Sequence, residues 1–191
     1  YIEGQNTPEI IFSWQGGEPT LLGLDYFRKV VELQRKYQPQ GVVIANDLQT
    51  NGILLNDEWC EFLAANNFLI GLSIDGPELL HNAYRVNRAG RGTFKQVMAA
   101  VALLHKYKVK FATLTCVNNL TSKNALEVYR FLRDEVKSPQ MQFIPIVEQK
   151  SFRTTAPQTW QPQEQLKQGD KRLNPWHKNS VVVPWCVSAE G

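Results

Sequence analysis

Residues 12–21 read FSWQGGEPTL, and the way this stretch ends decides the architecture. A short apolar run, Ile10-Ile11-Phe12, passes through Trp14-Gln15 into Gly16-Gly17, a carboxylate at Glu18 and a ring at Pro19. The run has the length and branching of a buried strand, and the turn residues stop it abruptly. A strand closed by bare backbone and an acid is expected to offer its end to a ligand.

The same pattern recurs downstream. GVVIANDLQTNG (residues 41–52) and FLIGLSIDGP (68–77) both begin as strands and turn polar, and VKFATLTCVNN (109–119) and MQFIPIVE (141–148) are further strands. Helical periodicity fills the gaps. LDYFRKVVELQRKY (24–37) sets Phe27, Val30, Val31 and Leu33-Gln34 on and around one face, with Asp25 favouring the first turn. EWCEFLAANN follows a cap at Asn56-Asp57. FKQVMAAVALLHKY follows a cap at Thr93 and carries the stripe Val97, Ala100, Val101, Leu104. A last helix is expected over 122–136, and a loop rich in His, Asn, Arg and Gly between the third strand and Thr93. The order βαβαβαβαβ predicts an α/β fold of parallel strands with helices packed outside. An open doubly wound sheet and part of a barrel both satisfy it.

The totals bound the function classes. The chain has 191 residues, enough for one domain with a core, and its 43% hydrophobic and 20% charged residues exclude bulk disorder. A formal charge of +3, without a dense basic run, gives no support for nucleic acid. There is no apolar run of membrane-spanning length and no signal-peptide pattern, so a cytoplasmic location is expected. Cys60, Cys116 and Cys186 are too widely spaced for a CxxC-type metal site, and each is expected to be a small buried hydrophobe. The polar, Pro-rich stretch 149–191 is expected to be an irregular linker, with 150–178 its mobile part, beyond a structured domain 1–148.

In parallel α/β folds ligands sit at the carboxyl ends of strands. Four such ends are polar here: Gln15-Gly16-Gly17-Glu18, Gln49-Thr50-Asn51-Gly52, Ser73-Ile74-Asp75-Gly76 and Thr115-Cys116-Val117-Asn118. Gly16 and Gly17 allow close approach to their backbone, and Glu18 suits an ammonium group. Arg85 suits a carboxylate, with Arg88 and Arg91 as rivals. His81 is given no catalytic role, and neither GxGxxG nor GxxxxGK[ST] occurs at the first strand.

WQGGEPTL, QTNGILLNDEWCEFL and IGLSIDGPELLHNAYRVNRAGRGTFKQVMAAV, in this order, resemble the radical S-adenosylmethionine enzymes. They look most like the anaerobic sulfatase-maturating branch with SPASM-type auxiliary clusters. The resemblance runs from about Ile10 to Glu148, and VVVPWCVSAEG resembles that branch's lead-in to a C-terminal cluster domain. It implies a partial (β/α)6 barrel, whose first strand would precede Tyr1. It also implies a [4Fe–4S] cluster that cleaves S-adenosylmethionine to a 5′-deoxyadenosyl radical, which takes a hydrogen from a Cys or Ser of an unfolded sulfatase segment and leaves formylglycine.

Carried onto this sequence, the resemblance sets Gly16, Gly17 and Glu18 at the methionyl amino group with Gln15 beside them. Ser73 and Arg85 fall on the ribose and carboxylate side, and Ile146 near the adenine. The cluster motif CxxxCxxC is absent from the sequence. Its ligands are expected upstream of Tyr1, with the catalytic acid and the auxiliary [4Fe–4S] clusters downstream of Gly191, so this stretch by itself is expected to be inactive. An electron donor such as flavodoxin or ferredoxin is implied. Two other readings are a radical enzyme acting on a different peptide and a non-catalytic module that binds a nucleotide or peptide. An open barrel edge is expected to give a dimer, aggregation or poor order near Tyr1–Glu9.

Overall fold

The computed structural model describes residues 1–146; the expectations for the linker 149–191, its mobile part, the tail resembling a cluster-domain lead-in and Cys186 lie outside them. The chain runs β1 (Glu9–Trp14), α1 (Leu24–Tyr37), β2 (Val43–Thr50), α2 (Asp57–Ala65), β3 (Leu69–Ser73), α3 (Glu78–Tyr84), α4 (Phe94–Lys106), β4 (Lys110–Val117), α5 (Asn119–Lys123), α6 (Ala125–Asp134) and β5 (Met141–Pro145). Tyr1–Glu9 is placed, with a 3₁₀ turn over Ile2–Gly4.

Among the described residues the strands of the sheet pair only in parallel, in the order β1-β2-β3-β4-β5. This decides between the two architectures left open by the sequence. A doubly wound sheet reverses its strand order at a switch point, whereas an order that follows the chain is that of a barrel wall. Every strand therefore ends on the same edge.

Alternate strand residues share a face. Ile10, Leu48, Ile70, Leu72 and Phe111 are buried on one face, packed with Phe27 and Val31 of α1, Leu63 of α2, Leu104 of α4 and Leu132 of α6. The opposite face carries the smaller or polar Ser13, Asp47 and Gly71, left partly exposed, as a barrel's inner wall would be. Phe27 sits in the middle of the core, with the rings of Trp14, Tyr26, Trp59 and Phe68 at 5.4, 5.3, 5.5 and 6.3 Å. Buried polar groups there are paired: Asn46 and Gln34 exchange two amide hydrogen bonds at 2.9 Å, and Trp14 Nε1 donates to Asn46 Oδ1.

Four expectations change. The loop after β3 contains the short helix α3, ended by Arg85. The helix expected over 122–136 breaks at Asn124, between α5 and α6. Thr93 stands at the N-cap of α4, but its hydroxyl caps nothing; Asn82 Oδ1 accepts from Phe94 N at 3.0 Å instead. Leu33, expected on the inner face of α1, is 40% exposed, and Gln34 takes the buried place.

Candidate functional site at the strand mouths

The carboxyl ends are tied into one rim. At the first, Gly16 and Gly17 turn the chain at φ of +92° and +55°, and a Cβ on either would meet no atom within 4 Å. Their backbone is open to solvent on the rim, with Gln15 exposed beside them.

Glu18 does more than the sequence suggested. Its Oε1 accepts from Thr20 N (3.2 Å), Thr20 Oγ1 (2.6 Å) and Thr50 Oγ1 (2.7 Å), and its Oε2 accepts from Asn51 N (2.8 Å). One carboxylate thus caps the 3₁₀ turn Pro19–Leu22 and binds the mouth of β1 to that of β2. Oε1 is filled; Oε2 keeps room for a further donor. Thr20 and Thr50 are buried, so Glu18→Ala strands their hydroxyls and is expected to cost about 2 kcal/mol or more of stability, measured by urea unfolding. A loss below about 0.5 kcal/mol would mean that the stitch is idle.

At the third mouth, Ser73 is half-buried, and among the described residues no partner is recorded for its hydroxyl. Two residues on, Asp75 is almost fully buried. Its Oδ2 accepts from Arg85 Nε at 2.6 Å, and its Oδ1 accepts from Arg85 Nη2 at 3.1 Å and Cys116 N at 2.8 Å. Arg85 therefore already holds a carboxylate bidentately, one supplied by the chain. Burial alone would lower its pKa, but Asp75 outweighs that and raises it. Arg88 and Arg91 are exposed on the small hairpin bridged by Val86 and Gly92, so of the three arginines Arg85 is the one on the rim.

His81, fully buried, holds this corner from behind. Its Nδ1 accepts from Asp75 N (3.3 Å), which leaves Nε2–H to donate to Thr93 Oγ1 (3.1 Å), and Thr93 Oγ1 donates to Arg85 O (3.1 Å). Thr93 is drawn away from its capping role by this chain of bonds. Burial, then the Arg85 charge, lowers the His81 pKa from 6.5 to about 4, with Asp75 opposing. The group is neutral in the fold at neutral pH and is a structural strap. Between pH 6.5 and about 4 only the unfolded chain takes up its proton, so stability falls as pH drops through that window. The loss is expected to reach on the order of 3 kcal/mol, with His81→Asn flattening that part of the profile.

The fourth mouth departs from expectation at Cys116. Cys60 is the buried hydrophobe anticipated, its thiol pushed up to about 11 by burial and then by Asp57. Cys116 instead is half-buried on the rim, its Sγ accepting from Arg85 Nη2 at 3.5 Å. Thr115 Oγ1 donates to Ile74 O at 2.7 Å, joining the β4 and β3 mouths. Asn118 caps α5 in a capping box with Thr121. Beyond β5, Ile146 is half-buried and donates its N–H to Val117 O at 3.0 Å, which extends the rim.

The structure thus sets Gln15, Gly16, Gly17, Glu18, Ser73, Arg85 and Ile146 along one edge of one sheet. A shallow hollow beside Ser122, Asn124 and Arg130 contains none of them. Asp75 and Thr93 were missed as site residues. The readable signal was an acid at a strand end with an arginine ten residues on.

A parallel sheet wound in one direction, with a polar rim at its carboxyl ends, defines a barrel-type α/β protein. The chain belongs to the radical SAM superfamily, whose profile matches residues 3–132. It is 43% identical over 148 residues to the serine-type anaerobic sulfatase-maturating enzyme of Bacteroides thetaiotaomicron, covering 78% of this chain and 35% of that protein. It is 45% identical over 124 residues to the cysteine-type enzyme of Clostridium perfringens, covering 65% and 34%. The chain spans about a third of the length of these curated relatives. A solved structure of native anSMEcpe with bound AdoMet and Kp18Cys peptide superposes with a TM-score of 0.74 at 38% identity, covering 80% of this chain and 43% of that one. The five strands are thus the wall of a partial barrel of the radical SAM type.

Proposed function

We propose that the protein is an anaerobic sulfatase-maturating enzyme, which binds S-adenosylmethionine at the strand mouths and converts a Cys or Ser of a sulfatase segment to formylglycine. The rim carries this reading: open backbone, a carboxylate oxygen, a hydroxyl, a guanidinium and an apolar side chain lie along one edge, each suited to one part of that cofactor. Its support from relatives is identity to both serine-type and cysteine-type maturases.

The residues present fit the cofactor. Gly16 and Gly17 leave a cradle that any Cβ would narrow, and their carbonyls with Glu18 Oε2 accept from the ammonium group. Gln15 flanks them. The Ser73 hydroxyl and the Arg85 guanidinium take the ribose and carboxylate side, and Ile146 walls the adenine. Cofactor and iron–sulfur cluster together supply hydrogen-atom abstraction when bound. No group of three or more His, Cys, Asp or Glu side chains among the described residues could hold a metal, so none is assigned to the cluster. A small electron-transfer protein of the flavodoxin or ferredoxin kind is the proposed reductant. The free edge of β1 is the proposed place of self-association in an isolated piece. No described helix is long and apolar enough to cross a membrane, and the cytoplasm is the proposed location.

The test uses the complete protein, reconstituted anaerobically with iron and sulfide and given S-adenosylmethionine, a reductant and a sulfatase peptide with Cys or Ser at the target. The expected result is release of 5′-deoxyadenosine with formylglycine in the peptide by mass spectrometry. Release with the sulfatase peptide unaltered would contradict the maturase reading, and no release at all would contradict the enzyme.

A further inference from the structure

Arg85 presents a puzzle: a guanidinium offered to a ligand carboxylate is already bound to an internal one. The bonds divide by edge. Nε and Nη2 are committed to Asp75, and Nη2 also to Cys116 Sγ, while Nη1 has no hydrogen bond recorded among the described residues. The Asp75 side chain is 3% exposed against 23% for Arg85, so the anion is sealed beneath the rim while part of the Arg85 side chain reaches the surface. Asp75 is itself fixed through the amide of Cys116 on the neighbouring strand, and the backbone of Arg85 is held by the His81–Thr93 chain. Side chain and main chain of Arg85 are thus clamped from independent directions.

We propose that Asp75, backed by the His81–Thr93 strap, is the positioning residue of the carboxylate subsite. It takes one edge of the Arg85 guanidinium and presents the other to the ligand's amino-acid carboxylate. This rests on the reading that the rim binds S-adenosylmethionine with Arg85 on the carboxylate side. A free arginine side chain would have to be ordered on binding, and the clamp removes that entropic cost in advance. Planarity makes the device work, because fixing the Nε–Nη2 edge fixes the direction of Nη1 as well. A lysine could not be held in this way. The internal anion also cancels the charge of Arg85, so the subsite reads carboxylate geometry through a charge-assisted hydrogen bond and has little pull on anions in general.

The experiment compares two ligands on the complete, cluster-reconstituted protein: S-adenosylmethionine, and its decarboxylated form, which keeps the sulfonium and ammonium groups. Asp75→Asn keeps an acceptor for Cys116 N but loses the anionic fork. It is expected to weaken S-adenosylmethionine binding about ten-fold or more, the loss of one well-placed charge-assisted bond, with the decarboxylated ligand changed less than about two-fold. Arg85→Lys should give the same split. Equal weakening of both ligands by Asp75→Asn would make Asp75 a merely structural residue and overturn the proposal. Tighter S-adenosylmethionine binding would also overturn it, since Asp75 would then compete with the ligand. If Asp75→Asn does not fold, Thr93→Val releases the backbone strap and leaves the ion pair, and must show the same preferential loss for the carboxylate ligand; its absence would likewise overturn the clamp. Unchanged affinity in Arg85→Gln would sink the underlying reading of Arg85. Loss in Arg85→Gln without loss in the clamp variants sinks this inference alone.

Discussion

Asp75→Ala is expected to be the most destabilising single substitution at the strand mouths, lowering the unfolding free energy by about 3–5 kcal/mol, because it leaves a partly buried charge and a buried amide without partners. Asp75 accepts three hydrogen bonds, two from Arg85 and one from Cys116 N, across the junction of β3, α3 and β4. Much of the loss comes from what stays behind. The side chain of Arg85 is only 23% exposed, so its charge recovers little hydration in place. The double substitution Asp75→Ala with Arg85→Met should therefore cost less than Asp75→Ala alone, a sign that additive contact energies would not give. Urea unfolding of the single and double variants measures it. A double variant whose loss equals the sum of the two single losses would show that the pair is not coupled.

The second large effect concerns ligand affinity at nearly constant fold. Gly17→Leu is expected to weaken S-adenosylmethionine binding about 100-fold or more, the scale of a lost close approach between backbone and ligand, while costing only about 1–2 kcal/mol of stability for the left-handed backbone. The asymmetry follows from the site: a Cβ on Gly17 meets no protein atom within 4 Å, so the side chain would occupy the mouth and disturb little else. Gly41 supplies the control. It has φ of +83° and equally open surroundings, but precedes β2 and so lies toward the opposite edge of the sheet. Gly41→Leu should show a similar backbone cost with affinity unchanged. Equal affinity losses at Gly17 and Gly41 would mean that the first mouth is not a ligand surface.

Local pattern and long-range pairing were not equally readable from the sequence. Helix α1 begins and ends where its periodicity does, and Val97, Ala100, Val101 and Leu104 are all buried as the stripe required. Both depend on residues three and four apart. The sequential strand order was not legible, because nothing local says which neighbour a parallel strand chooses. Thr93 was misread for a related reason: its hydroxyl bonds His81, twelve residues away, and a cap rule sees only the next turn. Glu18 was legible as a rim carboxylate but not as a stitch, since Thr50 lies 32 residues downstream. Asp75 is legible only as part of a polar strand end, because its burial by Arg85 and Cys116 appears only when β3 and β4 are side by side. Side chains that stand at a strand end were legible in the sequence; the bonds by which one holds another across neighbouring strands were not.

The central claim is that the mouths of neighbouring parallel strands form one cradle for S-adenosylmethionine. Equilibrium binding to the complete, anaerobically reconstituted protein tests it most directly, with Gly17→Leu, Ser73→Ala and Arg85→Gln measured separately and in pairs. Three residues on one cradle should each weaken binding, and pairs should depart from additivity because they hold the same ligand. Wild-type affinity in all three variants would contradict the cradle outright.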